Sequence, residues 1–313
     1  PRVFHAALFR DLASHRIHMK AVNVAASAAS EAALLARTLR RRRQQTSEPS
    51  TQQPPPPRPA APAGVGRSVT FTGCGGLYTY LFGVAAYIQQ HFDLSDAVFA
   101  SASAGSFPAW LLATGTSVED FHRTSNRDLI GVISRSSHED WLPWRRLDPR
   151  LSPVGRWYDS LRSEFSADVY RRLGPDGHEV TRDRHFISLT ELPTLDNVLL
   201  ADFESVADMV EGFIASGFVP IYDSRPIVAA TWRGRRYIDG GASDNAPIPF
   251  DGIPALVLSP HRWRDHGNYG TFPFVRADWP WLEAKFAEGL ADAEAHHDEI
   301  ASVLVERSQL TQD

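Results

Sequence analysis

Short apolar runs alternate with glycine-rich turns and helical stretches through the middle of the chain, and that rhythm predicts most of its elements. Residues 68–72 set Val69 and Phe71 on one side of a strand bounded by Gly66 and Gly73. Residues 80–90 then carry Leu81, Val84, Ala85 and Ile88 at helical spacing. The unit repeats: 97–100 is a short apolar strand, 101–105 a turn of small residues, and 106–113 the start of a helix. Further strands are predicted at 185–190, 197–200, 227–232 and 255–259, with a helix over 206–216. Strand, turn and helix in succession predict an α/β domain whose mostly parallel central sheet is covered by helices. Beyond Asp278, the residues Trp281, Leu282, Phe286 and Leu290 form the apolar stripe of a last amphipathic helix.

Composition narrows the picture. With 313 residues and 43% hydrophobic content, the chain is long enough to bury the core of one large domain. Cys74 is the single cysteine, which excludes an internal disulfide and any CxxC redox or zinc motif. The apolar run 77–88 is broken by Tyr78, Thr79, Tyr80 and Gly83 and falls short of the roughly 20 residues that a bilayer span needs. The net charge of −5 hides an asymmetry, since residues 1–66 hold ten Lys or Arg against three acids, a net of +7 that leaves −12 on the rest. An acidic body with no long basic stripe argues against nucleic acid. The Ala- and Ser-rich front end with its run Arg40 to Arg43 suits a transit peptide or a basic segment on anionic lipid, and equally a short helix over 22–39 ending in solvated charge. It begins at Pro1, so a fragment, or a start at Met19, is expected. Residues 46–63, with four successive prolines, read as a linker.

Three stretches carry candidate chemistry. Gly73, Cys74, Gly75 and Gly76 lie between a strand and a helix, where glycines let backbone amides turn toward one point beside a helix N-terminus. Such a loop suits an oxyanion hole; a structural turn is the plain alternative, and a dinucleotide site would want glycine where bulky Tyr78 stands. Ser101, Ala102, Ser103, Ala104 and Gly105 place a serine on a sharp turn after a buried strand, as in the GxSxG nucleophile motif, with Ser101 in place of the first glycine. The extra Cβ at Ser101 is expected to bring strain or reduced activity. Asp239, followed by Gly240 and Gly241, lies at a strand end where another chain segment can come close; a capping aspartate in an ordinary turn is the plain alternative.

Taken together, residues 72–77, the SxSxG element, residues 215–222 and residues 237–245 resemble the patatin-like phospholipase family, most closely its adipose triglyceride lipase branch, over about 68–260. The resemblance implies a three-layer α/β/α fold and a Ser-Asp dyad without histidine, in which Ser103 is the nucleophile, Asp239 its base, and Gly73 to Gly76 supply oxyanion amides. It implies a division into a basic tail and linker at 1–66, an acyl hydrolase domain at 67–265, and a C-terminal extension at 266–313. It favours acylglycerol substrates, with phospholipids and galactolipids as alternatives, at a membrane or lipid-droplet surface inside the cell. No cofactor or metal is expected, and protein activators are left open. Two rivals stand beside it: an α/β-hydrolase triad using His261, and a non-catalytic lipid-binding or scaffold homologue. The segment 141–146, with two tryptophans and two arginines, is a candidate interfacial anchor or a loop packed by its own aromatics. His296 and His297 diverge on a helix and are expected to be solvated.

Overall fold

The computed structural model describes residues 58–129, 153–220, 229–266 and 278–307. The basic tail up to residue 57, the 141–146 segment and the start of the strand expected at 227 lie outside the described residues. The elements follow as β1 (Arg67–Phe71), α1 (Tyr78–His91), β2 (Phe92–Asp93), β3 (Ala97–Ala102) and α2 (Ser106–Thr114). Next come α3 (Val118–Phe121), α4 (Pro153–Ser160), α5 (Ser166–Leu173), β4 (His185–Leu192), β5 (Asn197–Leu200) and α6 (Val206–Ser216). The chain then forms β6 (Ala230–Trp232), β7 (Arg235–Asp239), β8 (Ala255–Leu258), α7 (Trp279–Ala295), α8 (His297–Ala301) and β9 (Val305–Glu306).

The main sheet runs β6-β7-β4-β3-β1-β8, with β5 also on β4. Its β4-β3-β1-β8 half is parallel, while β7, β6 and β5 are antiparallel to their neighbours, so the sheet is mixed rather than mostly parallel. The reversal between β6 and β7 has a local cause. A two-residue turn at Arg233 and Gly234, both at positive φ, joins β6 to β7 as a hairpin, a connection that only antiparallel strands permit.

Strands β1 and β3 are buried on both faces, as expected where helices cover a parallel sheet. Helix α1 is buried from Tyr78 to Ile88, and α7 covers it at a backbone-to-backbone crossing. A Cβ on Gly83 would stand 2.0 Å from Phe286 O, and one on Gly289 2.0 Å from Tyr80 O, so each glycine is what lets the other helix approach. At the front, Arg58 N and Ala60 meet Asp251, so ordered contacts begin before β1. No described helix is long and apolar enough to cross a membrane.

Candidate active site

The register of β4 brings the two ends of the site together. Strand β3 runs parallel to β4 and finishes with Ala102 opposite Ser188; β7 runs antiparallel and finishes with Asp239 opposite Leu189. Ser103, one residue past β3, and Asp239, the last of β7, therefore meet around one point of β4, although 136 positions separate them in the chain. The Ser103 hydroxyl lies close enough to the Asp239 carboxyl to lower its pKa.

Each partner is held by its own neighbours. Ser103 sits at φ 53°, a left-handed conformation uncommon for a residue with a side chain and a mark of a strained nucleophile turn. Its amide donates to Ser216 Oγ at 2.9 Å, and that hydroxyl donates to Ser188 O at 2.8 Å. Gly105 lets α2 start against β1, since a Cβ there would stand 2.5 Å from Phe71 O. Asp239 accepts from Gly241 N at 2.8 Å and gives its own amide to Phe218 O at 2.8 Å. Burial is the largest influence on the Asp239 carboxyl and raises its pKa from 3.8 to about 6; the bonds from Ser103 and Gly241 pull the other way. Gly240 is obligatory, because a Cβ would lie 2.0 Å from Ser188 O.

The glycine loop closes the third side. Gly73 is so near Ser103 that a Cβ on it would stand 3.0 Å from Ser103 Cβ. Its amide, however, donates to Asn245 Oδ1 at 2.9 Å, which removes Gly73 from the expected set of oxyanion donors. The amides of Cys74, Gly75 and Gly76 have no acceptor among the described residues and precede α1, whose positive dipole end faces the same point. The Cys74 thiol is buried in this loop, and burial first, then the charge on Asp239, raise its pKa.

Ser101 is not strained. It lies fully buried at extended backbone in β3, its Oγ 2.9 Å from His185 Nε2 and 3.2 Å from Ser106 Oγ, so the side chain that replaces glycine is part of a buried polar network. Burial lowers the His185 pKa to about 3, so the ring is neutral and bonds Ser101 as an uncharged partner. Tyr78 also lies away from the loop's amides: it is the first residue of α1, packed on Phe82, and its hydroxyl donates to Asn126 Oδ1 at 2.7 Å. Ala102 and Ala104 flank Ser103 as the small neighbours that its turn requires, the former fully buried.

The match to the patatin-like phospholipase family model spans residues 69–250, from β1 through the loop after Asp239. The chain belongs to the patatin-like phospholipase family. Among curated relatives, patatin-like phospholipase domain-containing protein 2 of Homo sapiens is 32% identical over 196 residues, covering 62% of this chain and 35% of that protein. Omega-hydroxyceramide transacylase of Homo sapiens is 31% identical over 189 residues, covering 58% and 32%. A human 1-acylglycerol-3-phosphate O-acyltransferase is 28% identical over 217 residues, covering 68% and 40%. The chain thus spans between a third and two fifths of the length of these relatives. The patatin-like match ends at residue 250, so α7, which covers α1, lies beyond it.

His261 is exposed, and its ring faces His266 at 5.7 Å, beside α1 and α7. The groups that shift the Asp239 carboxyl are Ser103 and Gly241, and no histidine is among them. His296 stacks on Trp263, while His297 reaches Tyr87 and Glu306, so the two rings do diverge, though each is packed rather than free in solvent. The residues that sequence reasoning missed are supports: His185, Ser188, Ser216 and Asn245. The last two fall inside the stretches 215–222 and 237–245, and the first two are polar residues interleaved with Phe186, Ile187 and Leu189 in β4, which was the available signal.

Proposed function

We propose that the protein is a lipid acyl ester hydrolase working through a Ser103-Asp239 dyad. The meeting of Ser103 and Asp239 at one level of β4, with the Asp239 carboxyl pushed up to about 6 by burial and influenced by the Ser103 hydroxyl, is the observation that carries this reading. A base in that range is ionised at neutral pH and still a competent proton acceptor. As Ser103 Oγ attacks the ester carbonyl, its proton passes to Asp239. The amides of Cys74, Gly75 and Gly76 receive the negative charge on the carbonyl oxygen, and Asp239 returns the proton to the departing alcohol. Water, activated by the same carboxylate, then releases the fatty acid from Ser103.

Acylglycerols at a membrane or lipid-droplet surface are the substrate class we favour, with the protein acting peripherally. Support comes from the resemblance to patatin-like phospholipase domain-containing protein 2. A second reading, transfer of the acyl group to an alcohol in place of water, draws support from relatives named transacylase and O-acyltransferase. Both readings require Ser103 and Asp239. The test is fatty-acid release and acyl transfer from emulsions of triacylglycerol, phospholipid and galactolipid, with and without monoacylglycerol as acceptor. Labelling by a fluorophosphonate probe runs in parallel. Activity surviving in Ser103→Ala, or folded protein that the probe does not label at Ser103, would sink the proposal and leave a non-catalytic lipid binder.

A further inference from the structure

At the amino ends of β3 and β4, the ends opposite Ser103, the carboxyl ends of α1 and α2 and the residues just before the two strands line an open cleft of about 390 Å³. That volume falls within the range of small-ligand sites. The length of β3 separates it from the nucleophile by roughly 20 Å.

Two arginines line it. Arg184 lies over the Phe99 ring at 5.8 Å and gives Nη2 to Leu94 O at 2.8 Å, while its Nε is buried with no partner. Arg307 gives Nε to Phe92 O at 3.0 Å. Among the described residues neither meets a carboxylate at ion-pair distance, whereas Arg162, Arg172, Arg233 and Arg264 each do. Burial lowers the Arg184 pKa, and the charge of Asp93 only partly offsets that cost.

The acceptors in the cleft are already engaged. Asp93 takes the amide and hydroxyl of Ser95, and Gln89 spans Thr116 O and Val118 N. Ser117 Oγ accepts from Asp120 N, which leaves its proton directed elsewhere. Against the two guanidiniums stand the Asp93 carboxylate and the carboxyl ends of α1 and α2, each helix end worth about half a negative charge, so the cleft holds no large excess of charge. What it holds in excess is donors, among them the buried Nε of Arg184, and the complement to that is a ligand made of acceptors.

We propose that this cleft binds an oxyanion of the phosphate class between Arg184 and Arg307, independently of the acyl-ester site. The test is titration calorimetry of inorganic phosphate into the full chain carrying Ser103→Ala, alone and combined with Arg307→Gln or Arg184→Gln. Saturable binding is expected in the single variant, weakened about tenfold or more by either arginine change, as loss of a charge-assisted bond implies. Arg307 is exposed, so its replacement leaves the fold intact even if that of Arg184 does not. Competition by glycerol 3-phosphate would identify a soluble phosphate ester as the ligand, and competition only by vesicles containing phosphatidate would identify a lipid headgroup. No saturable heat at millimolar phosphate, or equal affinity in Ser103→Ala with and without Arg307→Gln, would overturn the proposal. Neither outcome depends on whether Ser103 is a nucleophile, so the two proposals fail separately.

Discussion

Asp239→Asn should abolish hydrolysis and yet make the fold more stable at neutral pH. Holding the carboxyl ionised when its pKa has risen from 3.8 to about 6 costs about 3 kcal/mol, at about 1.4 kcal/mol for each tenfold change in the equilibrium. The sign follows from proton counting. Between those two values the folded chain binds more protons than the unfolded one, so this residue's contribution falls as pH rises and is flat above about 6. Asparagine has no charge to desolvate and keeps an oxygen for Gly241 N, although a neutral acceptor forfeits about 1 kcal/mol of that bond. The net expectation is a gain of about 2 kcal/mol at neutral pH, seen as a rise in Tm of several degrees. Thermal melts of both proteins at about pH 8 and about pH 4.5 test it, because the advantage should shrink at the lower pH, where Asp239 is largely protonated in the folded chain. A difference in Tm that does not change with pH, or a variant less stable throughout, would refute the account of Asp239 as a buried, costly carboxylate.

Other outcomes follow from the same geometry. Hydrolysis measured as kcat/KM should fall about tenfold per pH unit below about 6, since a protonated Asp239 accepts nothing from Ser103; a profile flat to pH 5 would point to another base. Asn245→Ala leaves the Gly73 amide without its acceptor and loosens the loop against Ser103. Turnover should drop by about tenfold or more with KM little changed, and an unchanged kcat would remove Asn245 from the positioning set. Ser101→Gly restores the usual motif but strips His185 Nε2 of its nearest partner, so it should lower the urea midpoint by the equivalent of about 1–3 kcal/mol. A variant both faster and equally stable would show that the serine is a compromise after all.

The parts of this fold legible in the sequence are those set by local pattern. The apolar periods of β1, β3 and α1 are visible because each answers to its immediate neighbours; the glycines at 73, 105 and 240 stand out in their motifs, although what each makes room for, at Asn245, Phe71 and Ser188, is distant in sequence. The four-residue spacing of Trp157, Leu161, Phe165 and Val169, all buried, was equally present. Arg156 before it and Asp159, Arg162 and Glu164 within it mask that period and give 156–164 the look of a solvated stretch. What no local pattern carries is the pairing of β4: parallel to β3 through Ser188 and antiparallel to β7 from Leu189 onward. That switch makes the sheet mixed, and it also makes the site, because a parallel β7 would begin rather than end at this level of β4 and carry Asp239 to the far edge. Motifs alone located Ser103 and Asp239, while their meeting depends on the hairpin turn at Arg233 and Gly234, whose positive φ angles send β7 back toward Ser103. A change that straightens that turn should therefore disable Asp239 without touching it.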